Sequence, residues 1–552
     1  MARDANIRVV LARSPSQPPA WLARAEWALA LAATLVALAL HVRLFLDAGP
    51  LWRDEINTVV VATQPTIAGV WDRLESESFP LLPYALLHVW RSPGLGADAG
   101  FRAFGLIAGL SAIAALWWGR RVTGLPPPLL ALALFAINPV VVRWGDSIRG
   151  YGLGELAILL AFTLVFEAVR RPRPAVVALA AIAATAAVQT VYQNSVLVLA
   201  IGVAGAAISL GERRPRRAAV ALAIGAVAAV SLLPYLAVMG RAREYRLVSV
   251  EGATPGHLAS VFWRALGAEI GVGWPGQVLA AAWVGTIAWA LVAVAARRPA
   301  SGPPRALALY GLLVLLIGVL THFAFLLCLG FPTMPWYSLS LVALMAASLE
   351  AMIQGGSTAG RTSRVALAGA LLALVSPSAF AYVGLRQTNM DLAAAAVAGA
   401  QRDDFVVVSP WFLAVSFNRY YRGAAPWSTI PPLEDTSVHR TDLLARQLQA
   451  EDPIGPLVAR VERTLQGGHR VYWVGLPVPA IDRPPRPLPP LRGTVNGELQ
   501  GVYCANWTLQ VAQALRRYGA AGESVPLEAR QPVQPYERVR VWVTTGLPPQ
   551  VW

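Results

Sequence analysis

The stretch WALALAATLVALALHVRLFL, residues 27–46, decides the fold. It is apolar throughout, interrupted only by His41 and Arg43 near its end. About 20 apolar residues are needed to cross the hydrocarbon core of a bilayer, so this segment reads as one membrane span. Directly after it come Leu51-Trp52-Arg53-Asp54-Glu55. Two adjacent carboxylates at that place sit beside a low-dielectric boundary, where an unpaired charge is costly. From position alone they either end the helix as a solvated loop start or carry chemistry.

The rest of the chain agrees with a membrane reading. Of its 552 residues 56% are hydrophobic and only 14% charged, with a mean hydropathy of +0.51. A soluble protein would carry about a quarter charged residues. The net charge of +15 comes almost entirely from arginine, gathered in short connections: Arg120-Arg121, 170–173, 213–217, Arg297-Arg298 with Arg305, and Arg361 with Arg364. This is the pattern of cytoplasmic loops under the positive-inside rule and excludes a nucleic-acid-binding surface. The two cysteines, Cys328 and Cys504, imply neither a disulfide framework nor a cysteine metal site. The basic start (Arg3, Arg8, Arg13, Arg24) precedes an apolar stretch without a small-residue cleavage site, so a retained first span with a cytoplasmic start is expected.

Eleven windows are apolar enough to span: 27–46, 101–118, 126–142, 152–169, 174–191, 193–210, 217–239, 276–296, 305–329, 334–353 and 364–385. Residues 79–92 are apolar but short, and carry Pro80, Pro83 and His88. If they dip in without crossing, every arginine cluster falls on the cytoplasmic side; if they crossed alone, all would be outside. The expectation is therefore eleven crossings, amino terminus in and carboxyl terminus out. Residues 47–79, 143–151, 240–275 and everything after 386 then share the outer side.

A change of composition near 387 suggests two domains, a membrane domain of residues 1–386 and a soluble extracytoplasmic α/β domain of residues 387–552. Strands are expected at 405–408, 471–474 and 538–544, and helices at 414–421 and 507–518. Seven prolines between 477 and 490 mark a stiff loop. No glycine-rich phosphate loop, zinc spacing or internal repeat occurs.

The order of motifs is more specific than any one of them. Asp54-Glu55 is followed by Glu77-Ser78-Phe79-Pro80-Leu81-Leu82-Pro83-Tyr84, then by Phe101-Arg102-Ala103-Phe104-Gly105-Leu106 opening a span that ends in Gly119-Arg120-Arg121. Asn138-Pro139 closes the next window and leads to Ser147-Ile148-Arg149-Gly150-Tyr151. This succession resembles the membrane glycosyltransferases of the C-type fold, in the family 39-like group of protein O-mannosyltransferases and lipid A aminoarabinose transferases. The resemblance is good over about residues 27–200 and looser beyond.

It implies an inverting glycosyltransferase of the bacterial inner membrane. Such enzymes take a sugar from a polyprenyl-phosphate donor and pass it to a glycan, lipid or protein acceptor on the outer face. The resemblance places the catalytic carboxylate at Asp54, with Glu55 beside it and a second acid at Glu77. It puts the donor-site pair at Arg149 and Tyr151. A base must take the acceptor hydroxyl proton while a lipid phosphate leaves the opposite face of C1. A carboxylate suits the first task, and the arginine fork suits the phosphate.

Two positions depart from the family pattern. Phe79-Pro80 stands where many relatives have two prolines, and Pro335-Trp336-Tyr337 where they often carry an Arg-Tyr pair. Arg241, Arg243, Arg246 and Arg264 are the candidates to replace that arginine, with Arg243 and Arg246 placed in the donor phosphate site. Asp146 is a weaker candidate for metal or acceptor contact. His88, His322 and residues 189–194 either line a cavity or act as polar packing between helices. No obligatory metal or other cofactor is implied. Two rival readings stay open: a transporter or flippase for an amphiphilic lipid, and a non-catalytic membrane sensor.

Overall fold

The computed structural model describes residues 19–244, 253–296, 303–330, 333–353, 357–481, 485–492 and 497–546. Among them nine helices are long and apolar enough to cross a membrane, from Ala20–Asp47 to Thr358–Val383. A five-stranded sheet follows them. The chain is a polytopic helical membrane protein with a small C-terminal sheet.

The first helix shows how such helices pack. Ala30, Ala33, Ala37 and Leu40 are fully buried at helical spacing, whereas Leu31 and Leu35 are 52% and 66% exposed. Both faces are apolar, so polarity cannot sort them. Size contributes: the small side chains of Ala30, Ala33 and Ala37 let neighbouring backbones approach. Gly105 and Gly109 do the same on Asp98–Thr123. A Cβ at Gly105 would stand 1.9 Å from the Asp146 carbonyl oxygen, and one at Gly109 would stand 1.9 Å from Asp146 Oδ1.

Two expected windows take another form. Residues 126–142 are broken into a short helix Leu129–Ala131, a π-turn Leu132–Ala136 and a helix Pro139–Gly145. Pro139 cannot donate a backbone hydrogen bond, so Asn138 caps the new start through Oδ1 to the Val140 N–H at 3.0 Å. Every residue from 129 to 145 is buried. Broken backbone is tolerated at membrane depth when it is wrapped in protein. Residues 174–191 form the 17-residue helix Pro174–Thr190, shorter than the other spans. Leu81–Trp90 has ten residues, about 15 Å of helix or half of the hydrocarbon core.

The two ends of the bundle differ. At one, Glu26 pairs with Arg361 at 2.5 Å and with Arg364 at 3.6 Å, and Arg120 lies 4.6 Å over the Trp27 ring. The Glu350 carboxylate meets Arg364 and accepts the Leu130 and Ala131 N–H groups, satisfying a helix start buried among other helices. At the other end residues 47–79, the 139–151 segment, the helix Pro255–Ala265 and the C-terminal region come together.

The sheet runs β1 (Phe405–Ser409), β2 (Trp427–Thr429), β3 (Arg470–Gly475), β4 (Gly519–Val525) and β5 (Arg540–Gly546), in the spatial order β2-β1-β3-β5-β4. β1 is parallel to β2 and β3; β5 is antiparallel to β3 and β4. One face packs Val406, Val408, Val541 and Val543 around Phe417; the other packs Val407, Val471 and Trp473 under Leu444, Val461 and Trp507. The expected strands and both expected helices are present, with β2 and β4 in addition.

This region is fastened to the helices by many bonds. Gln387 N–H donates to the Ala48 carbonyl at 2.8 Å, and Tyr420 OH donates to the Leu51 carbonyl and to Asp98. The buried Glu537 carboxylate accepts the Arg53 N–H at 3.0 Å, Ser416 Oγ at 2.6 Å and Thr388 Oγ1 at 3.1 Å. Val415 and Val438 join the hydrophobic core of the helical bundle.

Candidate functional site

The helix Arg53–Ala62 starts at the end of the bundle under the C-terminal region. Successive side chains on a helix point about 100° apart, so Asp54 and Glu55 diverge. Glu55 turns inward and has no exposed surface. Its carboxylate accepts the Trp52 N–H at 3.3 Å and the Ile148 N–H at 3.2 Å, and faces Arg102 Nη2 at 3.4 Å. Burial pushes its carboxyl up, with Arg102 and the two N–H groups opposing. It ties three segments together.

Asp54 turns outward and its side chain is 23% exposed. Oδ1 lies 3.3 Å from Arg53 Nε and 3.5 Å from His439 Nε2. Burial alone would raise its pKa. The hydrogen bond from His439 and the charges of Arg53, Arg149 and His439 outweigh burial, holding the carboxyl well below the ordinary value of 3.8. Asp54 is therefore an ionised carboxylate at a partly open rim.

Arg149 lies behind it. Nη1 donates to the Asp54 carbonyl at 3.0 Å, Thr58 Oγ1 at 3.2 Å and Glu77 Oε2 at 3.2 Å, while Nη2 donates to Ser78 Oγ at 3.4 Å. Its guanidinium sits 4.7 Å over the Phe79 ring. Glu77 also accepts Asn57 Nδ2 at 2.5 Å, and Asn57 Oδ1 accepts the His439 N–H at 2.8 Å. Asn57 thus links the second acid to the segment that brings in the histidine. Tyr151, at the start of Tyr151–Arg170, packs edge-on to Phe79 at 5.0 Å and near Tyr337 at 6.3 Å. Gly150 allows this approach, since a Cβ there would meet the Thr190 carbonyl oxygen at 2.5 Å.

The structure therefore brings Asp54, Glu77, Arg149 and Tyr151 into one cluster and sets Glu55 just behind it. Of Arg243 only the backbone is described, in the helix Leu236–Glu244, and Arg246 lies outside the described residues. Arg264 points elsewhere: it pairs with Glu269 at 2.7 Å and with the Tyr536 hydroxyl. Trp336 fills an aromatic cluster with Trp144, Trp52 and Tyr536, with ring centroids 4.1, 6.1 and 5.3 Å away. Both carboxylate oxygens of Asp146 lie 2.8 Å from His41 Nδ1, and the Asp146 side chain is buried. His88 Nδ1 bonds to the Ala62 carbonyl at 2.9 Å, and His322 Nε2 lies 3.3 Å from Ser338 Oγ. Gln189, Gln193 and Asn194 are spent on contacts between helices or within them. Among the described residues no group of three or more His, Cys, Asp or Glu could hold a metal ion.

His439 belongs to this cluster but was not among the residues that the sequence pointed to. It is one of six histidines, in the polar run Glu434-Asp435-Thr436-Ser437-Val438-His439-Arg440. Val438 beside it is buried in the core of the helical bundle, a docking that nothing in this polar run signals.

No protein-family model matches the chain, and no curated protein matches it. The arrangement itself is a carboxylate held ionised at a partly open rim, with the charges of Arg53 and Arg149 beside it.

Proposed function

We propose that this chain is an inverting membrane glycosyltransferase that takes a sugar from a polyprenyl-phosphate donor. The observation carrying the reading is the rim carboxylate of Asp54, kept ionised by His439, Arg53 and Arg149 and backed by the Arg149–Glu77 pair. The acceptor hydroxyl oxygen attacks C1 of the donor sugar and its proton passes to Asp54. The bond from C1 to the phosphate oxygen breaks, and polyprenyl phosphate leaves with the electron pair. Configuration at C1 inverts.

A carboxylate held so low is a weak base until its cations are shared. The donor phosphate supplies that sharing. As it draws on Arg53 and on the Nη2 edge of Arg149, whose partner among the described residues is Ser78 Oγ at 3.4 Å, the electrostatic hold on Asp54 weakens and its basicity rises. The same guanidinium groups then stabilise charge growing on the leaving phosphate.

Under this reading the Asp54 end faces the outer side of the inner membrane and the arginine-rich end faces the cytoplasm, as the positive-inside rule requires. The C-terminal region is then extracytoplasmic, and the acceptor is a glycan, lipid or protein of the cell envelope. A lipid transporter would need its charges reachable from both sides, whereas Asp54, Arg53 and His439 gather at one end. Comparison of surface glycans and lipids from a strain lacking the gene with those of its parent tests the proposal. One missing sugar substituent is expected; an unaltered glycan and lipid profile would contradict it.

A further inference from the structure

A second cleft lies on the sheet, away from Asp54. The helix Gly497–Tyr518 covers the sheet face over Trp473 but ends where β4 begins. Beyond it no described residue covers the same face of β5 and β4, which forms a cleft of about 480 Å³ lined by Trp473, Leu515, Arg516, Gly522, Arg540 and Trp542. Strand alternation explains the lining: Arg540, Trp542 and Thr544 point into the cleft, while Val541 and Val543 point into the opposite core.

The floor is cut to fit the indole. A Cβ at Gly522 would lie 2.7 Å from Trp542 Nε1 and 3.0 Å from two of its ring carbons, so Trp542 rests against bare β4 backbone at that point. Trp542 as a whole remains 37% exposed. Arg516 and Arg540 stand exposed beside it; Arg516 Nη2 reaches the Pro479 carbonyl at 3.5 Å, and neither has an ion-pair partner among the described residues. An open indole face stacks on the C–H face of a sugar ring, and arginine forks bind carboxylate or phosphate through two hydrogen bonds. The volume lies within the range of small-ligand sites, roughly 300–1,000 Å³.

The cleft is also joined to the first site. β5 is preceded by Glu537, which accepts the N–H of Arg53 beside Asp54. Trp542 is five positions along the chain from Glu537, at most about 18 Å. We propose that the cleft is a carbohydrate subsite for an anionic oligosaccharide, one bearing uronate or phosphate groups. That this oligosaccharide is the acceptor rests on the transferase reading; the binding itself does not.

Binding is measured without turnover, so its failure is separable from failure of the transferase reading. The full chain in nanodiscs is titrated by calorimetry with trigalacturonate and, in parallel, with neutral maltotriose. Trigalacturonate should bind at least about 10-fold more tightly, because the arginine contacts are charge-assisted. Trp542→Ala and the exposed pair R516Q/R540Q should each weaken it by about 10-fold or more, the second without moving the melting temperature. The proposal is overturned if trigalacturonate does not bind, if it binds no better than maltotriose, or if R516Q/R540Q binds it like wild type. Equal binding of a polyglutamate peptide would also overturn it, by pointing to an acidic peptide along the β4 edge.

Discussion

Asp54 and Glu55 show how far two adjacent carboxylates can be separated by one helical step. Glu55 is consumed by two backbone N–H groups and Arg102, whereas Asp54 keeps an open edge toward His439. The difference makes a prediction about pH. Against the upward push of burial, the hydrogen bond from His439 does most to lower the Asp54 carboxyl, so His439→Ala should raise that pKa toward the ordinary 3.8. A carboxyl raised in this way loses its basic form at a higher pH, so the acid limb of the rate profile should move to higher pH. Turnover at pH 3.5 relative to pH 8 would fall in the variant. A variant slowed equally at every pH would make His439 a packing residue. Asp54, Glu77, Arg149 and Tyr151 could all be named from the motif order because they lie in or beside the first spans, where local sequence sets their spacing. His439 could not, since no local pattern encodes which loop of a distant region docks on the bundle.

At the scale of elements, strands and helices were legible where pattern and chemistry coincide. Val406-Val407-Val408 and Val471-Tyr472-Trp473-Val474 are β-branched and aromatic runs buried on both faces, which strands favour. β4 begins Gly519-Ala520-Ala521-Gly522, four poor strand formers, and pairs only because β5 offers it an edge. The window 126–142 read as a span because hydropathy counts apolar residues without asking whether they face lipid or protein. Glu537 carries the contact between the sheet and the Asp54 helix, and it too has a pH signature. Burial pushes its carboxyl above the ordinary 4.5, against opposing pulls from Arg53, Ser416 and Thr388. The folded state then holds this proton more tightly than the unfolded state, so its contribution to stability falls as pH rises above about 4.5. Between pH 5 and pH 8 the melting temperature of wild type should drop relative to that of Glu537→Gln. Parallel curves for the two proteins would show that Glu537 does not titrate at the interface.

Across the whole molecule, one end of the bundle gathers Asp54, the helix Pro255–Ala265 and the sheet, through contacts such as His439 to Asp54 and Arg264 to Tyr536. The proposed mechanism requires this end to be the outer one. That orientation rests on the arginine clusters and is open to direct test. In a background without Cys328 and Cys504, single cysteines at Arg121, Pro215 and Ala450 can be exposed to an impermeant thiol reagent on intact cells. Ala450→Cys should label, and Arg121→Cys and Pro215→Cys should not; the reverse pattern would invert the orientation and remove the proposed donor side. The most direct measurement is release of polyprenyl phosphate from a panel of polyprenyl-phosphate sugars by the purified protein in nanodiscs, wild type against Asp54→Asn. Asparagine keeps the shape of the carboxylate without its basicity, so release should fall by roughly 10²-fold or more while the protein stays folded. Release by Asp54→Asn at the wild-type rate would contradict the assignment of Asp54 as the base on which the mechanism turns.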